Sequence, residues 1–269
     1  MCIKKVYNYN GSGKRKKKVH VITVATHKER YFDVLVQSAK KMNVDMVVLG
    51  MNQKWEGFHM KYTLVDEYIK DLPPDDIIVF LDAFDSLILK KFDNFADEFN
   101  KTNSRWVVPA YRPTNYIESY IGHRIYGPGD ILVTCLWAAK VETLKQDIPK
   151  LLHIMKENDF YEDQFAMNKL HKENSDTKIY SDFDGRFFTL DTDVAMNGTS
   201  YFISAPMNKD LDDICHKLLL VPPERMDQSS YWLHPKNIEY LKRLKFEVTV
   251  FLILLFSVLW FTFSSASRK

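Results

Sequence analysis

The sequence predicts an α/β fold in which a mostly parallel central sheet is flanked by helices. Strand-like and helix-like segments alternate from residue 19 onward, as expected for parallel strands joined by helical crossovers. The short run IIVFLD at 77–82 is apolar up to its last residue, the pattern of a strand buried on both faces. At the other end, an uncharged apolar stretch at 248–267 predicts a C-terminal transmembrane helix.

The individual elements follow from the periodicity of apolar residues. Apolar, β-branched runs predict strands at 19–26, 45–50, 77–82, 105–110 and 131–139, with shorter ones near 178–181, 186–190 and 201–204. Apolar residues at helical spacing predict helices at 28–42, 58–71, 91–101, 140–157 and 160–173. The segment 111–130, rich in proline, tyrosine and glycine, is interpreted as a long loop.

Composition indicates an ordinary globular protein. The 269 residues are 46% hydrophobic and 27% charged, enough chain to bury a sizeable core. The 37 basic residues nearly balance the 35 acidic ones, so the net charge of +2 argues against a nucleic-acid-binding protein. The cysteines, Cys2, Cys135 and Cys215, are too far apart for a CxxC motif, and their odd number does not suit a disulfide framework.

Three regions are predicted along the chain. Residues 1–18 form a flexible basic arm, 19–245 form the folded domain, and 248–267 form the membrane span. A helix of about 20 residues covers roughly 30 Å, the thickness of one hydrocarbon core. The alternative is a buried C-terminal helix, but a helix that is apolar on every face has no polar side to offer water.

The side of the membrane stays open. Basic residues at Lys242, Arg243 and Lys245 favour a cytosolic domain, as in a tail-anchored protein. Glycosylation sequons at Asn10, Asn100 and Asn197 point weakly the other way, to a lumenal domain.

Asp82 and Asp85 are the first candidate functional residues. They directly follow the buried strand 77–82, and ligands bind at the carboxyl ends of strands in an open parallel sheet. Carboxylate oxygens are the ligands that Mg²⁺ and Mn²⁺ prefer, usually together with substrate phosphates. The alternative is that both are turn or helix-capping residues. No glycine fingerprint follows the first strand, which disfavours a dinucleotide site of the Rossmann type.

Several segments together resemble one family. VITVAT at 21–26, Lys61 ahead of a helix, and IIVFLDAFDSLIL at 77–89 are similar to the glycosyltransferase domain of procollagen lysyl hydroxylases and the related collagen glucosyl- and galactosyltransferase-like proteins. YEDQFAMNKL at 161–170 and IYSDFDGRFFTLD at 179–191 resemble segments that follow in the same order. The resemblance covers about residues 19–240. It implies a GT-A fold, a UDP-sugar donor and Mn²⁺ or Mg²⁺.

The resemblance also implies a metal site. Asp82 and Asp85 match the aspartate pair that binds Mn²⁺ in that family. The family's third ligand is a histidine in an I-H-G-N-G-like stretch, and the best match here is His234, which lacks the glycines. The alternative for His234 is an ordinary surface histidine near the membrane.

Donor-binding residues are implied in the same way. Thr23, Val24 and Thr26 end the first strand where the nucleotide would lie, Lys61 would reach a phosphate, and Trp55 would stack on the uracil. Loop aromatics such as Trp55 also pack on their own domain, so that interpretation stays open.

Asp163 and Asp130 are the candidate catalytic residues. Asp163 matches a family residue close to the donor sugar, although it also fits an exposed acid on a helix. Asp130 ends Gly127-Pro-Gly-Asp130, where the family carries a glycine-rich turn, and it adds a carboxylate that could hold sugar hydroxyls or act as a base.

The sequence therefore predicts a membrane-anchored transferase that moves a hexose from a UDP-sugar to a hydroxyl acceptor. One candidate acceptor is a hydroxylysine-like or collagen-like group of a protein. The alternative is a catalytically inactive GT-A-fold, tail-anchored interaction protein, suggested by the changed turn at Asp130 and the absent glycines around His234. A phosphate-ester hydrolase using the same aspartates is less favoured. Hydroxylase activity is not implied, since the H-x-D iron motif is absent from this sequence.

Overall fold

A computed structural model describes most of the chain, namely residues 17–91, 93–157, 162–173, 178–198, 200–205, 210–223, 249–253 and 255–257. The chain forms two compact units. The first contains Met1–Pro113 and Gly129–Met226, and the second contains Thr114–Pro128 and Asp227–Lys269. The predicted basic arm and the boundary at 245 fall almost wholly outside the described residues, so that division stays a prediction.

Among the described residues of the first unit, ten strands build two sheets. In chain order they are β1 Val19–Val24, β2 Met46–Leu49, β3 Ile77–Asp82, β4 Ser86–Ile88, β5 Trp106–Tyr111, β6 Ile131–Leu132, β7 Leu136–Lys140, β8 Ile179–Asp182, β9 Phe188–Thr189 and β10 Phe202–Ser204. The large sheet has the order β2-β1-β3-β7-β5-β6, with β8 also pairing with β5. The small sheet has the order β4-β10-β9.

The described residues between β1 and residue 223 also form eight helices. They are α1 Phe32–Lys41, α2 His59–Ile69, α3 Phe95–Lys101, α4 Tyr116–Tyr126, α5 Val141–Glu157, α6 Asp163–Glu173, α7 Thr192–Met196 and α8 Asp212–Lys217. The predicted helices and strands are therefore confirmed in type for most of the described chain. Helix α4 belongs to the second unit, and the others belong to the first.

The central sheet is mixed, which corrects the expectation of a mostly parallel sheet. β1 pairs in parallel with β2 and β3, and β5 pairs in parallel with β8. β7 is antiparallel to both β3 and β5, and β6 is antiparallel to β5. A strand that is apolar because both of its faces are buried carries no signal for its direction, so the pattern alone did not reveal the reversal at β7.

Side chains of the central strands alternate between two apolar layers. In β1, Val21 packs in the layer that contains Leu35 of α1 and Phe99 of α3. The next residue, Ile22, packs in the opposite layer with Trp137 and with side chains of α2, α5 and α6. Because successive residues of a strand point to opposite faces, both layers are filled from one apolar run. The sheet is thus covered on both faces, as predicted.

The strand 131–139 and the loop 111–130 both differ from expectation. The strand is divided into β6 and β7. The loop contains the helix α4, which begins after Asn115, whose side chain accepts a hydrogen bond from the backbone N–H of Glu118. It ends at Gly127, whose φ of 83° is accessible to glycine without strain. The Asn-x-x-Glu pattern of a capping box was the overlooked sequence signal.

The predicted transmembrane helix lies mostly outside the described residues. Residues 249–253 and 255–257 are helical and carry exposed apolar side chains, including Phe251 and Phe256. Within the described part of the chain, no helix is long and apolar enough to cross a membrane. The C-terminal membrane span therefore stays a prediction.

Candidate active site

The candidate site begins where the central strand β3 ends. Its first five residues are buried, and Asp82 at its end is partly exposed. Asp82 is held by its own backbone, since its N–H donates to the carbonyl oxygen of Cys135 over 2.8 Å. The chain then turns through Ala83-Phe84-Asp85 into β4. This short turn carries the second aspartate close to the first.

Lys61 joins two of the predicted site residues. From the first turn of α2, its Nζ lies 2.6 Å from Oδ1 of Asp82 and 3.4 Å from Oδ2 of Asp163. The lysine side chain is 12% exposed, Asp82 26% and Asp163 5%, so the cluster is shielded but open to solvent on one side. Lys61, Asp82 and Asp163 are separated by up to 102 positions in sequence, and the fold brings them together.

Negative charge is in excess at this cluster. When ionised, Asp82, Asp85 and Asp163 carry three negative charges against the single positive charge of Lys61. Burial raises the pKa of Asp82 to about 7, Lys61 opposes that rise, and the charges of Asp85 and Asp163 add to it. An uncompensated pair of negative charges in a partly buried site suits a divalent cation, whose preferred ligands are carboxylate oxygens.

Asp85 is held by a different part of the fold. Its Oδ1 accepts hydrogen bonds from Oγ of Ser204 at 3.1 Å and Oγ of Ser86 at 3.4 Å. Its backbone carbonyl accepts the N–H of Ala205 at 2.7 Å. These contacts follow from the antiparallel pairing of β4 with β10, which aligns Ser86 with Ser204. Sequence reasoning missed Ser204, because only the strand pairing reveals a partner 119 positions away.

Tyr62 adds a buried polar atom beside the carboxylates. Its hydroxyl is buried and has no hydrogen-bond partner among the described residues. Burial raises its pKa well above the ordinary value, and the charges of Asp163, Asp82 and Glu162 add to the rise. A buried hydroxyl normally has a partner, so this one fits a site that receives a water molecule or a ligand group. The sequence predicted the helix 58–71 that contains Tyr62, but it did not single out Tyr62 as a site residue.

Trp55, the predicted stacking residue for the uracil base, lies near Lys61. Trp55 is 43% exposed, and its ring packs edge-on against Phe58, whose ring in turn lies under Lys61 Nζ. Trp55 is therefore next to the cluster and accessible, as the stacking interpretation requires. The rings of Phe58 and the fully buried Phe80 lie 5.3 Å and 5.6 Å from Lys61 Nζ, measured to the ring centroids.

Two of the three candidate residues at the end of the first strand have buried side chains that contact the protein interior. Thr23 is buried and donates its hydroxyl to the carbonyl of Leu81 over 2.7 Å, and Val24 belongs to the core. Thr26 lies in the turn after β1, where its carbonyl accepts the N–H of Asn52. Of these three candidates, only Thr26 has a side chain at the edge of the sheet.

Asp130 is not part of the cluster. Its Oδ1 pairs with Nε of Arg112 over 3.1 Å, and its charge acts on His171 and Lys172 near the end of α6. Those two residues are about 12 Å along the helix from Asp163 at 1.5 Å per residue. The structure therefore separates the two candidate catalytic aspartates.

His234, the third predicted metal ligand, lies outside the described residues. Among the residues that are described, no group of three or more His, Cys, Asp or Glu side chains is arranged to hold a metal ion. The predicted ligands that the structure does describe are Asp82, which pairs with Lys61, and Asp85, whose charge acts on Asp82.

Comparison with known families decides the identity of the domain. Residues 15–189 match the family model of the PLOD GT domain. The chain belongs to this family. The match takes in Lys61, Asp82, Asp85 and Asp163, and it confirms the resemblance to the glycosyltransferase domain of procollagen lysyl hydroxylases.

One curated relative supports the same assignment within the PLOD GT family. Procollagen-lysine,2-oxoglutarate 5-dioxygenase of Drosophila melanogaster is 27% identical over 102 residues. The matched region is 35% of this chain and 14% of that protein. This PLOD GT chain thus corresponds to a small part of the relative's length.

Two solved structures were compared with this PLOD GT domain, and one of them supports its fold. A glycosyltransferase involved in the glycosylation of the major capsid of PBCV-1 superimposes with a TM-score of 0.52, covering 76% of this chain and 100% of its own, at 8% identity. A197 from STIV superimposes with a TM-score of 0.37, over 56% of this chain and 78% of its own, at 13% identity. The second value is too low to define a shared fold. The first supports a glycosyltransferase-type α/β fold.

Proposed function

We propose that this domain transfers a hexose from a UDP-sugar to a hydroxyl acceptor, with a divalent cation, Mn²⁺ or Mg²⁺, at Asp82 and Asp85. The observation that carries the proposal is the excess of carboxylates around Lys61 at the end of β3. The excess suits a divalent cation, and the family assignment supports a glycosyltransferase.

The roles of the residues follow from their positions. The bound cation would neutralise charge on the diphosphate leaving group as a Lewis acid. Lys61 would exchange its pairing with Asp82 and Asp163 for a donor phosphate, whose negative charge its ammonium group would then offset. Asp163, freed from that pairing, would accept a hydrogen bond from a sugar hydroxyl. Trp55 would stack on the base from the exposed side. His234 would supply a further metal ligand.

Asp130 has a different place in the proposal. Its pairing with Arg112 puts it away from Lys61, so a role in proton transfer at the donor sugar is not part of the mechanism proposed here. A contact with the acceptor is the role that remains for it. The acceptor in the proposal is a hydroxyl group, of the hydroxylysine or collagen type, as the family assignment suggests.

The experiment measures Mn²⁺-dependent hydrolysis of UDP-sugars in variants that lack pairs of aspartates. Asp82→Ala with Asp85→Ala is expected to abolish Mn²⁺-dependent hydrolysis of UDP-sugars. Asp71→Ala with Asp75→Ala removes the same charge from exposed positions and is expected to keep the activity. Unchanged hydrolysis in the first double variant would show that the metal assignment is wrong.

A second candidate function is a non-catalytic scaffold that keeps the fold. The observation in its favour is that Lys61 already lies 2.6 Å from Asp82, an ion pair that holds the site together without metal. Calorimetry with UDP and MnCl₂ separates the two functions. Heat of UDP binding that requires Mn²⁺ is expected for the transferase, and its absence would favour the scaffold.

The membrane tether is also part of the proposal. The exposed apolar side chains of 249–253 and 255–257 support burial of the C-terminal stretch in lipid. Co-flotation with neutral phosphatidylcholine vesicles is expected for the whole chain and not for a chain that ends at residue 245. Equal flotation of the two would contradict the tether.

A further inference from the structure

Ser204 is a buried serine in contact with the second aspartate of the site. It ends β10, its residue exposure is 0%, and its hydroxyl donates to Oδ1 of Asp85 over 3.1 Å. A polar group that is fully removed from water needs a partner, and the carboxylate is the acceptor that the fold supplies. The position lies beyond the matched region 15–189, so the family match assigns no role to it.

The backbone around Ser204 fixes this contact from both sides. Ser204 is aligned with Ser86 in the antiparallel pair of β10 with β4, and Leu87 and Ile203 are aligned next to them. One step further, the N–H of Ala205 donates to the backbone carbonyl of Asp85 over 2.7 Å. The main chain of Asp85 is therefore tied to the same strand that carries the serine.

Both hydroxyl contacts fall on one oxygen of the carboxylate. Ser204 and Ser86 donate to Oδ1 of Asp85, and within the described chain Oδ2 has no hydrogen-bond partner. Two donors on Oδ1 restrict rotation of the carboxylate group about its last bond. The lone pairs of Oδ2 stay available, in a fixed orientation, to a cation.

We propose that Ser204 is a positioning residue that orients the carboxylate of Asp85 for the divalent cation. This inference rests on the proposed function, because it assigns the cation to Asp85. A carboxylate that is already oriented loses less conformational freedom when it binds a metal. Hydrogen-bonding partners of metal ligands typically change metal affinity by about 10- to 100-fold when they are removed.

The test measures metal affinity separately from nucleotide binding and from stability. UDP is titrated calorimetrically into the whole chain at a series of MnCl₂ concentrations, and thermal unfolding is recorded without metal. Ser204→Ala is expected to raise the Mn²⁺ concentration needed for half-maximal UDP binding about tenfold. UDP affinity at saturating Mn²⁺ is expected to stay unchanged, because the proposed role of the serine is limited to the carboxylate of Asp85.

Two further variants separate positioning from packing. Ser204→Thr keeps the hydroxyl and is expected to restore the Mn²⁺ requirement to within about threefold of the unchanged protein. Ser200→Ala is the matched control, since Ser200 is also fully buried and donates its hydroxyl to the carbonyl of Gly185, away from the aspartates. It is expected to leave the Mn²⁺ requirement unchanged, whatever it does to stability.

The outcomes distinguish this inference from the proposed function. If the unchanged protein shows no Mn²⁺-linked UDP binding, the proposed function and this role of Ser204 both fail. If it shows that binding and Ser204→Ala requires the same Mn²⁺ concentration, only the role of Ser204 is overturned. The role is overturned as well if Ser200→Ala shifts the requirement as much as Ser204→Ala does.

Discussion

The ammonium group of Lys61 lies 2.6 Å from the carboxylate of Asp82, and the same ammonium reaches Asp163 at 3.4 Å. The Lys61 side chain thus links the end of the central strand β3 to the first residue of α6. Because these elements are far apart in sequence, the contact organises the site as well as the fold. It also places a positive charge where a donor phosphate would bind in the proposed reaction.

Lys61→Met is expected to destabilise the metal-free protein. Removing the lysine leaves Asp82 and Asp163 as neighbouring carboxylates without their cation. Breaking a buried pair in this way costs about 3 to 5 kcal/mol in the free energy of unfolding, and the lower end is expected here because Asp82 is 26% exposed. The measurement is urea unfolding followed by circular dichroism. Lys28→Met is the control, because Lys28 pairs with Asp33 at an exposed position and its loss is expected to cost less than about 0.5 kcal/mol.

Lys61→Met is also expected to respond more strongly to Mn²⁺ than the unchanged protein does. Without Lys61 the cluster is more negative, so saturating Mn²⁺ is expected to raise the melting temperature of Lys61→Met more than that of the unchanged protein. An equal rise in both proteins would contradict an effect of the Lys61 charge on cation binding, and no rise in either would contradict a cation site at Asp82 and Asp85.

Trp55→Ala is expected to weaken UDP binding about tenfold with little change in stability. Stacking on an aromatic side chain contributes roughly 1 to 3 kcal/mol per base. The indole is 43% exposed, so its removal opens no large cavity. UDP affinity is measured by calorimetry in saturating Mn²⁺. Tyr116→Ala removes another exposed ring, on α4 in the second unit, and is expected to keep the affinity; a similar loss in both variants would contradict stacking on Trp55.

Much of the site was predictable because its chemistry follows local patterns. The buried strand 77–82 and its exact bounds were read from an unbroken apolar run, and Asp82 at its end was read from strand position alone. Lys61 and Asp163 came from the family resemblance, and the fold brings both to Asp82. The distances between Lys61, Asp82 and Asp163 could not be predicted from the sequence, because no local pattern at Lys61 indicates a contact 102 positions away.

What the sequence did not predict depends on strand pairing. The antiparallel direction of β7 is set by the path of the whole chain, and an apolar run that is buried on both faces is the same in either direction. Ser204 is next to Asp85 only because β10 pairs with β4. Asp130 was linked to the donor site through its turn, but the fold turns its carboxylate to Arg112.

Cys215 is expected to resist alkylation in the folded protein. Burial raises the pKa of its thiol to about 12, and the charges of Asp212 and Asp210 add to the rise. Only the thiolate reacts, so at pH 8.5 the reactive fraction is about one in three thousand. Mass spectrometry of the Cys215 peptide after iodoacetamide treatment measures the labelling, and the same peptide labelled in urea is the control.

The pH dependence of that labelling has a definite sign. Since the folded pKa lies well above that of an ordinary thiol, the rate for Cys215 is expected to keep rising about tenfold per pH unit beyond pH 9. A free thiol levels off there. A plateau near pH 9 in protein that stays folded would contradict the raised pKa.

Trp106→Phe is expected to destabilise the first unit through a buried hydrogen bond. The indole Nε1–H of Trp106 on β5 donates to Oδ2 of Asp147 on α5 over 3.0 Å, and Asp147 is fully buried. Phenylalanine has no such donor, so the carboxylate keeps Lys150 on its other oxygen and loses its partner in the core. An unsatisfied buried acceptor costs about 1 to 3 kcal/mol, more when it is charged.

Trp137→Phe is the matched control, because it removes the same ring volume from the same apolar layer. Trp137 is 2% exposed and packs against Trp106 at 5.3 Å between ring centroids, but its indole N–H makes no hydrogen bond to another described residue. Trp106→Phe is therefore expected to lower the free energy of unfolding by about 1 to 3 kcal/mol more than Trp137→Phe does. Urea unfolding of both variants gives the difference. Equal losses would mean that the ring volume, and not the bond to Asp147, stabilises the contact between β5 and α5.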